Sequence, residues 1–148
     1  MTVRFARQAD LPALFPLGEL LADAMLPLEP AAVRPAREEA VVWEQASLRA
    51  LTAGEGGFCL AAENAGAVIG YALVREKGRR AHVDSLVVAP GERGNGAGTA
   101  LLERAKAEAK RRGLLALTLK VEEKNERAAA LYARQGFTAF KRELWLDL

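Results

Sequence analysis

The stretch VDSLVVAPGERGNGAGTALL, residues 83–102, joins an apolar, strand-like run to a helical pattern through a glycine-rich loop. Four glycines fall within the eight residues 91–98. Glycine-rich turns that enter helices often bind phosphate, because free backbone N–H groups and the helix dipole point at one spot. The loop therefore predicts a ligand that carries phosphate.

Two of three phosphate-binding loop patterns do not fit these residues. A Walker loop needs Gly-x-x-x-x-Gly-Lys-Ser/Thr, but Ala97 and Gly98 stand where Lys and Ser/Thr are required. A dinucleotide fingerprint follows the first strand of a βαβ unit, whereas this loop comes late and leaves only about fifty residues for a second nucleotide half. The third pattern, Arg-x-x-Gly-x-Gly, matches residues 93–98.

Length and composition are those of an ordinary globular protein. The 148 residues are enough for one core, and we predict a single domain over residues 1–148. A net charge of +2 is too small to indicate nucleic-acid binding by itself. The basic clusters at 75–80 and 106–112 lack interleaved aromatic residues, so we expect no nucleic-acid partner.

Cysteine and histidine are too few for a disulfide framework or a metal site. Cys59 is the only cysteine and lies in an apolar run, which predicts a buried thiol, and His82 is the only histidine. The first ten residues lack the apolar stretch of a signal peptide, and we expect no window near the ~18 apolar residues of a membrane span. We therefore expect a cytoplasmic protein without a bound metal or a membrane partner.

Hydrophobic periodicity and turn residues predict the element order β-α-α-β-β-β-α-β-α-β. Residues 3–7 read as the first strand, Asp10 as the cap of the first helix, and residues 36–53 as the approximate extent of the second helix. An Asn-Ala-Gly turn at 64–66 joins two strands of a meander, and residues 81–90 supply the third. Because the later strands each need a helical crossover, the predicted sheet is mixed.

The last third of the chain predicts two further strand regions around a helix. Residues 114–122, LLALTLKVE, are typical of a strand that is buried on both faces. Asn125 is a favourable N-cap for a helix that stops at Gly136, and residues 137–148 read as one or two final strands. The aromatic residues that we interpret as core are Trp43, Phe137 and Trp145.

Taken together, these segments resemble the GCN5-related N-acetyltransferase, or GNAT, superfamily. The strand, loop and helix of residues 83–102 match that family throughout, and NERAAALYARQGF at 125–137 matches its Asn-x-x-Ala-x-x-x-Tyr-x-x-x-Gly-Phe segment. Residues 3–17 resemble the family's first strand and helix, whereas residues 23–56 and the last ten lie outside the resemblance. The resemblance implies an α/β (α+β) fold whose mixed, mostly antiparallel central sheet is flanked by about four helices.

The resemblance implies acetyl-CoA as the cofactor. The N–H groups of the loop would bind its pyrophosphate, and a side chain at Gly94, Gly96 or Gly98 would obstruct that approach. The strand 83–88 would carry a bulge and diverge from residues 114–121, so that pantetheine pairs with backbone groups in the opening. The implied cofactor-binding residues are Leu86, Val87, Val88, Arg93, Gly94, Asn95, Gly96, Ala97, Gly98, Thr99, Asn125, Ala128 and Tyr132.

The resemblance also implies direct transfer of an acetyl group to a primary amine in a ternary complex. An alkylamine with a pKa of about 10.4 must lose a proton before it attacks. Asp84 stands where many members of the family have Glu and is the implied base, directly or through water; His82 is an alternative base or relay. Tyr132 is the implied general acid for the coenzyme A thiolate, and the Leu86 N–H would stabilise the oxyanion.

A second function is compatible with the same resemblance. A catalytically silent sensor or interaction domain of this fold would bind acyl-CoA without turnover. The presence of Asp84, Asn125 and Tyr132 favours the enzyme. The acceptor, whether a small molecule or a protein amine, the acyl group and the identity of the base remain open, and residues 23–56 would help to build the acceptor side. A homodimer is compatible with this interpretation.

Overall fold

The structure is a computed structural model that describes residues 1–148, and it contains one five-stranded sheet with helices on both faces. The strand order is β1-β2-β3-β4-β5, in which every pair is antiparallel except β4 and β5. The expected mixed, mostly antiparallel sheet with four helices is confirmed. The elements are β1 (Thr2–Phe5), α1 (Leu11–Met25), α2 (Arg37–Thr52), β2 (Gly57–Asn64), β3 (Ala67–Lys77), β4 (Arg80–Val88), α3 (Ala97–Arg111), β5 (Ala116–Leu119) and α4 (Glu126–Arg134).

Tight turns build the β2-β3-β4 meander. Ala65 and Gly66, between β2 and β3, have φ angles of 50° and 79°. Two successive positive φ angles are typical of the type I′ turn, whose twist matches that of a β-hairpin. The hairpin that the Asn-Ala-Gly pattern predicts is therefore confirmed. Gly78, at φ 58°, turns β3 into β4.

The sheet separates two hydrophobic clusters. On one face α3 packs Leu101 and Leu102 against the sheet, together with residues of α4. On the other face α1 and α2 pack Leu14 and Leu48 around Cys59, which is buried as predicted. Burial of each such leucine contributes about 1.5–3 kcal/mol, so both faces stabilise the sheet that carries the site.

The apolar run Gln8–Leu28 forms α1 and the short 3₁₀ turns at its two ends. By length and composition alone it is apolar enough to cross a membrane, with a mean hydropathy of 1.4, so the expectation that no such window exists was wrong. Core helices of soluble proteins and signal sequences satisfy the same criterion. In this structure Leu14, Leu17 and Gly18 form the buried face of α1.

Asp10 lies at the N-cap position of α1, but its side chain does not cap the helix. Its Oδ2 instead accepts hydrogen bonds from Arg4 Nη1 at 2.8 Å and from the Arg7 backbone N–H at 2.7 Å. These contacts, the Arg4 guanidinium above all, hold the pKa of Asp10 at about 2. Asp10 therefore links β1 to the turn before α1 rather than capping the N-terminus of α1.

The C-terminal third departs from the predicted strands. β5 is half-exposed rather than buried on both faces, because it is an edge strand that pairs only with β4. Residues 137–148 form no strand, so the final β of the predicted order was wrong. The charged triplet at 141–143 interrupts the alternation that a half-buried strand requires.

Two of the three aromatic residues that we interpreted as core are exposed. Trp43 is 55% exposed, because the buried face of α2 begins one position later, and Trp145 is 56% exposed in the C-terminal tail. Phe137 is half-buried and packs edge-on against Tyr132, with 5.8 Å between the ring centroids. Only Phe137 therefore contributes to a hydrophobic cluster as predicted.

Candidate active site

A β-bulge at Asp84 sets the geometry of the site. Along β3 the partners change from Val74 opposite Val83 to Leu73 opposite Ser85, so Asp84 is the extra residue of β4. A bulge interrupts the alternation of side chains and re-aims them. As a result Asp84 and Ser85, although consecutive, both line a cavity on the α1/α2 face of the sheet. The bulge that the family resemblance implies is present.

β4 and β5 part immediately before this bulge. Their pairing covers only residues 80–83 of β4 and residues 116–119 of β5. Residues 84–88 continue along β3 but have no strand on their other side. The two strands therefore leave an opening between them, and the backbone of residues 84–88 lines one side of this opening.

The backbone groups of Leu86 and Val88 face this opening. The Ala89 N–H donates to the Ile69 carbonyl of β3 at 2.8 Å. Backbone groups alternate in direction along a strand, so those of Val87 also face β3, whereas those of Leu86 and Val88 point away from it. An extended chain that contains amides can pair with these two residues as an added strand would.

The glycine-rich loop presents free donors at the start of α3. Gly94 and Gly96 have φ angles of 85° and 81°, which strain any other residue, and the space beside their Cα atoms is open. The N–H groups of Ala97, Gly98 and Thr99 lack intrahelical acceptors, and no side chain caps the helix. This arrangement fits an anion such as a pyrophosphate.

The other loop residues have distinct positions. Arg93 is exposed, and its Nε donates to the Val88 carbonyl at 3.3 Å. Asn95 is also exposed. Gly98 differs from the other two glycines, because a Cβ there would lie 3.4 Å from Cδ2 of Leu131 on α4. A methyl group at 98 would therefore make an ordinary van der Waals contact with α4.

Helix α4 carries Asn125 and Tyr132. Asn125 Oδ1 accepts a hydrogen bond from the Ala128 N–H at 3.3 Å, which confirms the predicted N-cap, and its Nδ2 lies 3.7 Å from the Met25 sulfur. Tyr132 is half-buried in the same apolar cluster as Leu86. Burial raises the pKa of the Tyr132 phenol above its ordinary value, so the hydroxyl keeps its proton at neutral pH.

A cavity of about 540 Å³ lies between α1, α2 and β4. Its wall contains the carboxyl groups of four residues and no lysine, arginine or histidine. Between these carboxyl groups the wall is largely apolar, with Met25 at the end of α1 as one member. Such a wall suits a molecule with cationic ends and an apolar stem. The carboxyl-bearing residues are Glu29, Glu39, Glu44 and Asp84.

Glu44 is the functional candidate that the sequence analysis missed. It is only 7% exposed, and it accepts hydrogen bonds from the Tyr71 hydroxyl at 2.6 Å and from the Ser85 hydroxyl at 3.0 Å. Burial raises the pKa of Glu44, and the two hydroxyl donors oppose that change. One signal could have revealed it: Glu44 lies four and seven residues before Leu48 and Leu51, on the buried stripe of α2.

Asp84 and His82 are held by other partners. Asp84 Oδ2 accepts a hydrogen bond from Arg75 Nε at 2.7 Å. His82 Nε2 lies 3.9 Å from Asp84 Oδ1, and its Nδ1 lies 2.8 Å from the Thr118 hydroxyl. Burial, followed by the charge of Lys77, lowers the pKa of His82, so the ring is neutral at pH 7. His82 does not line the cavity.

Comparison with known proteins assigns the chain to a family. Residues 20–137 match the model of the acetyltransferase (GNAT) family. An uncharacterized N-acetyltransferase of Mycobacterium tuberculosis, Rv2669, is 39% identical over 79 residues, which are 53% of this chain and 51% of that protein. The chain thus spans about half the length of the curated relatives it matches.

Solved structures share the fold over nearly the whole chain. A single-residue mutant of the BH1408 protein from Bacillus halodurans has a TM-score of 0.87 at 21% identity and covers 100% of this chain and 99% of its own. The PaiA N-acetyltransferase from Thermoplasma acidophilum, solved with coenzyme A, has a TM-score of 0.81 at 17% identity and covers 96% and 92%. Because the family match extends over most of its length, the chain belongs to the acetyltransferase (GNAT) family.

Proposed function

We propose that this protein is an acetyl-CoA-dependent N-acetyltransferase that moves an acetyl group to a primary amine by direct attack in a ternary complex. The main support for this proposal is the bulge in β4. Beside the bulge lies an opening lined by backbone groups, and an acidic cavity lies on one face of the sheet. Family membership supports this function, as does the PaiA N-acetyltransferase solved with coenzyme A.

The residues of the loop and of β4 fit coenzyme A. Free N–H groups at the start of α3 would hold the pyrophosphate, and no Cβ at Gly94 or Gly96 obstructs the approach. The backbone groups of Leu86 and Val88 would pair with the amides of the pantetheine arm. When bound, acetyl-CoA supplies an acetyl group that is already activated as a thioester.

The chain's own groups supply the proton transfers. The acceptor arrives as an ammonium ion and must lose a proton, and Asp84 and Glu44 are the two buried carboxyl groups on the cavity wall. The Leu86 N–H faces the opening and can donate to an oxygen that gains negative charge. Tyr132 keeps its phenolic proton at neutral pH and would give it to the departing sulfur.

Thermal melting with and without acetyl-CoA tests the cofactor half of the proposal. A ligand at 100 times its Kd adds about 2.7 kcal/mol, which raises the Tm by about 5 to 10 °C in a chain of this size. We expect that shift in the wild type and its loss in Gly96→Arg, whose side chain would occupy the space open to the phosphate.

Gly54→Arg is the matched control. Gly54 has a φ of 79° and open space around it, so arginine there imposes a similar backbone strain outside the loop. The Gly54 variant should keep the acetyl-CoA shift. A folded wild type without a shift would contradict the proposal. Release of thiol in the presence of an amine then separates an enzyme from a silent acyl-CoA sensor.

A further inference from the structure

Building on the proposed function, we infer that Glu44 takes the proton from the acceptor, and that the acceptor is a cationic alkylamine that carries no carboxylate. The inference rests on the hydrogen bonds of two neighbouring carboxyl groups and on the composition of the cavity wall. It assigns a role to a residue on α2 that neither the family resemblance nor the motifs of the chain indicate.

The two buried carboxyl groups differ in their partners. Asp84 forms an ion pair with Arg75, whose Nη2 also donates to the Ser47 hydroxyl at 3.2 Å, so this pair is anchored to α2. Glu44 has neutral partners only, the hydroxyls of Tyr71 and Ser85. Arg75 compensates the negative charge of Asp84 within the protein, whereas an ionised Glu44 has no cationic partner in the protein and would attract a cation in the cavity.

The surroundings of Glu44 raise its pKa above the ordinary value of a glutamate. On β3 the Tyr71 hydroxyl donates to it, and on β4 the Ser85 hydroxyl donates while the negative charge of Asp84 repels it. Cys59 on β2 is close enough for its own pKa to rise further because of Glu44. On α1, Gly18 lies against Glu44 and has no titratable group. Burial therefore dominates and favours the protonated form.

The remaining titratable groups around this cavity are acidic. Glu39 belongs to α2, and Glu29 follows the turn after α1. The cationic Arg75 contacts Asp84 rather than Glu44. The neutral His82 lies near Asp84 but outside the cavity wall. A carboxylate on the acceptor would thus meet like charges on several sides, which opposes its binding. The apolar part of the wall, which includes Leu21, can hold the alkyl stem of the acceptor.

Glu44 and Tyr132 together account for every proton in the reaction. Two protons leave the acceptor nitrogen: Glu44 takes the first and passes it to water at the cavity mouth. The nitrogen lone pair then forms the C–N bond while the C–S bond of the thioester breaks. Tyr132 gives a proton to the sulfur, and the second nitrogen proton replaces it, so no oxidant, reductant or further reactant is needed.

The pH profile of kcat/KM distinguishes Glu44 from Asp84. On the acid limb of this profile, kcat/KM falls as the base becomes protonated. Tyr71→Phe removes a donor to the ionised form of Glu44, so the pKa of Glu44 rises and the acid limb moves to higher pH. Asp84→Asn removes a repelling negative charge, so the pKa falls and the acid limb moves to lower pH. Glu44→Gln should lower kcat/KM by about 100-fold or more and abolish the limb.

A purely structural role for Glu44 predicts a different set of results. Tyr71→Phe would then change stability without moving the acid limb. If Asp84 were the base, Asp84→Asn would lose more activity than Glu44→Gln. Either result overturns the role of Glu44. The acetyl-CoA melting shift, measured in each variant, identifies any variant that has lost its fold, and Glu44→Asp should recover part of the activity if a carboxylate is what the position requires.

The acceptor class is tested with a matched pair of probes. 1,5-Diaminopentane and 5-aminopentanoate present the same primary amine on chains of similar length but differ in the charge of the far end. We expect kcat/KM for the diamine to exceed that for the amino acid by at least about tenfold, which corresponds to about 1.4 kcal/mol. Equal values, or the reverse order, overturn the inference.

The outcomes also separate this inference from the proposed function. An acetyl-CoA shift without turnover of the diamine would overturn the acceptor class and leave the cofactor assignment intact. A folded wild type without an acetyl-CoA shift would overturn the proposed function itself. Turnover of the diamine with the predicted movements of the acid limb supports both.

Discussion

Gly18 is the residue at which α1 comes closest to the Glu44–Tyr71 hydrogen bond. A Cβ at position 18 would lie 3.1 Å from Glu44 Cγ and 3.1 Å from the Tyr71 hydroxyl oxygen. Both neighbours are buried and hydrogen-bonded to each other, so neither can move aside without loss. The absence of a side chain at Gly18 therefore lets the buried carboxyl group and the helix share this space.

The substitution Gly18→Ala tests this crowding. Alanine normally stabilises a helix interior by about 0.5–1 kcal/mol relative to glycine, but overpacking costs about 1–3 kcal/mol. We expect a net loss of about 1 kcal/mol, measured by urea denaturation. Gly98→Ala is the control, because its only close neighbour is the flexible end of Leu131 at 3.4 Å. A gain in stability at both positions would contradict the prediction.

Tyr132 gives a second prediction for a single residue. Tyr132→Phe removes the hydroxyl and leaves the ring that packs against Phe137. We expect kcat to fall about 100-fold, the usual contribution of a positioned general acid, with the acetyl-CoA melting shift retained. An unchanged kcat would show that water protonates the sulfur. Loss of the melting shift would instead assign Tyr132 to cofactor binding.

One buried carboxyl group, that of Glu108, stabilises the C-terminal end of α3. Glu108 accepts hydrogen bonds from Arg111 at 2.6 Å and from Arg112 at 2.8 Å. The Arg111 guanidinium is the main cause that holds the pKa of Glu108 at about 2. Arg112 also donates to Glu76 of β3 at 3.0 Å, so the same cluster fixes α3 on the sheet.

This lowered pKa predicts a defined loss of stability in acid. Because the folded pKa lies below the ordinary value of 4.5, the contribution of Glu108 is complete above about pH 4.5 and disappears as the pH falls toward 2. Glu108→Gln should therefore melt below the wild type at pH 7, and the difference should shrink over that range. Thermal melting between pH 2 and pH 7, in steps of about half a unit, measures it.

Glu103→Gln on the same helix is the control for this prediction. Glu103 is exposed and pairs with Lys106 at 3.1 Å, and such surface pairs contribute little. Its substitution should leave the melting temperature nearly unchanged at every pH. A constant difference between Glu108→Gln and the wild type would show that packing, rather than charge, explains the effect of Glu108.

Elements with strong local signals were predictable from the sequence. The helix predicted over about 36–53 is Arg37–Thr52, and the Asn-Ala-Gly turn forms the expected hairpin. The extent of β5 and the absence of strands after α4 were not predictable, because strand formation depends on partners that are distant in the sequence. Local propensity thus explains the helices and turns better than the sheet edge.

The candidate site was predictable in part. Its backbone portion, the bulge at Asp84 and the opening beside Leu86, followed from the family resemblance rather than from periodicity. Glu44 was missed because the resemblance does not reach residues 23–56, and because no motif singles out a carboxyl group on the buried face of α2. Its hydrogen-bond donors are Tyr71 and Ser85, which the fold brings to it from two other elements.

The C-terminal tail exposes several large apolar side chains. Leu144, Leu146 and Leu148 are 86%, 83% and 117% exposed and occupy alternate positions. β5 also leaves one edge unpaired. Clusters of exposed apolar side chains and free strand edges favour association. We therefore expect the protein to self-associate as its concentration rises.

The combined variant Leu144→Ser, Leu146→Ser and Leu148→Ser tests this expectation. It should remain monomeric at concentrations where the wild type sediments faster, and its Tm should change by less than about 2 °C, because the replaced side chains are almost fully exposed. Analytical ultracentrifugation measures the first quantity and thermal melting the second. A wild type that stays monomeric at every concentration would contradict the prediction.

The bulge in β4 has a consequence for how such proteins diverge. Val83 and Ser85 keep Val74 and Leu73 as partners on β3, so Asp84 is the one residue of β4 without a register partner on β3. Its side chain can change without altering the register of the sheet or the direction of the Leu86 backbone. A point mutation at this codon can therefore alter the chemistry of the cavity while the strand register stays in place.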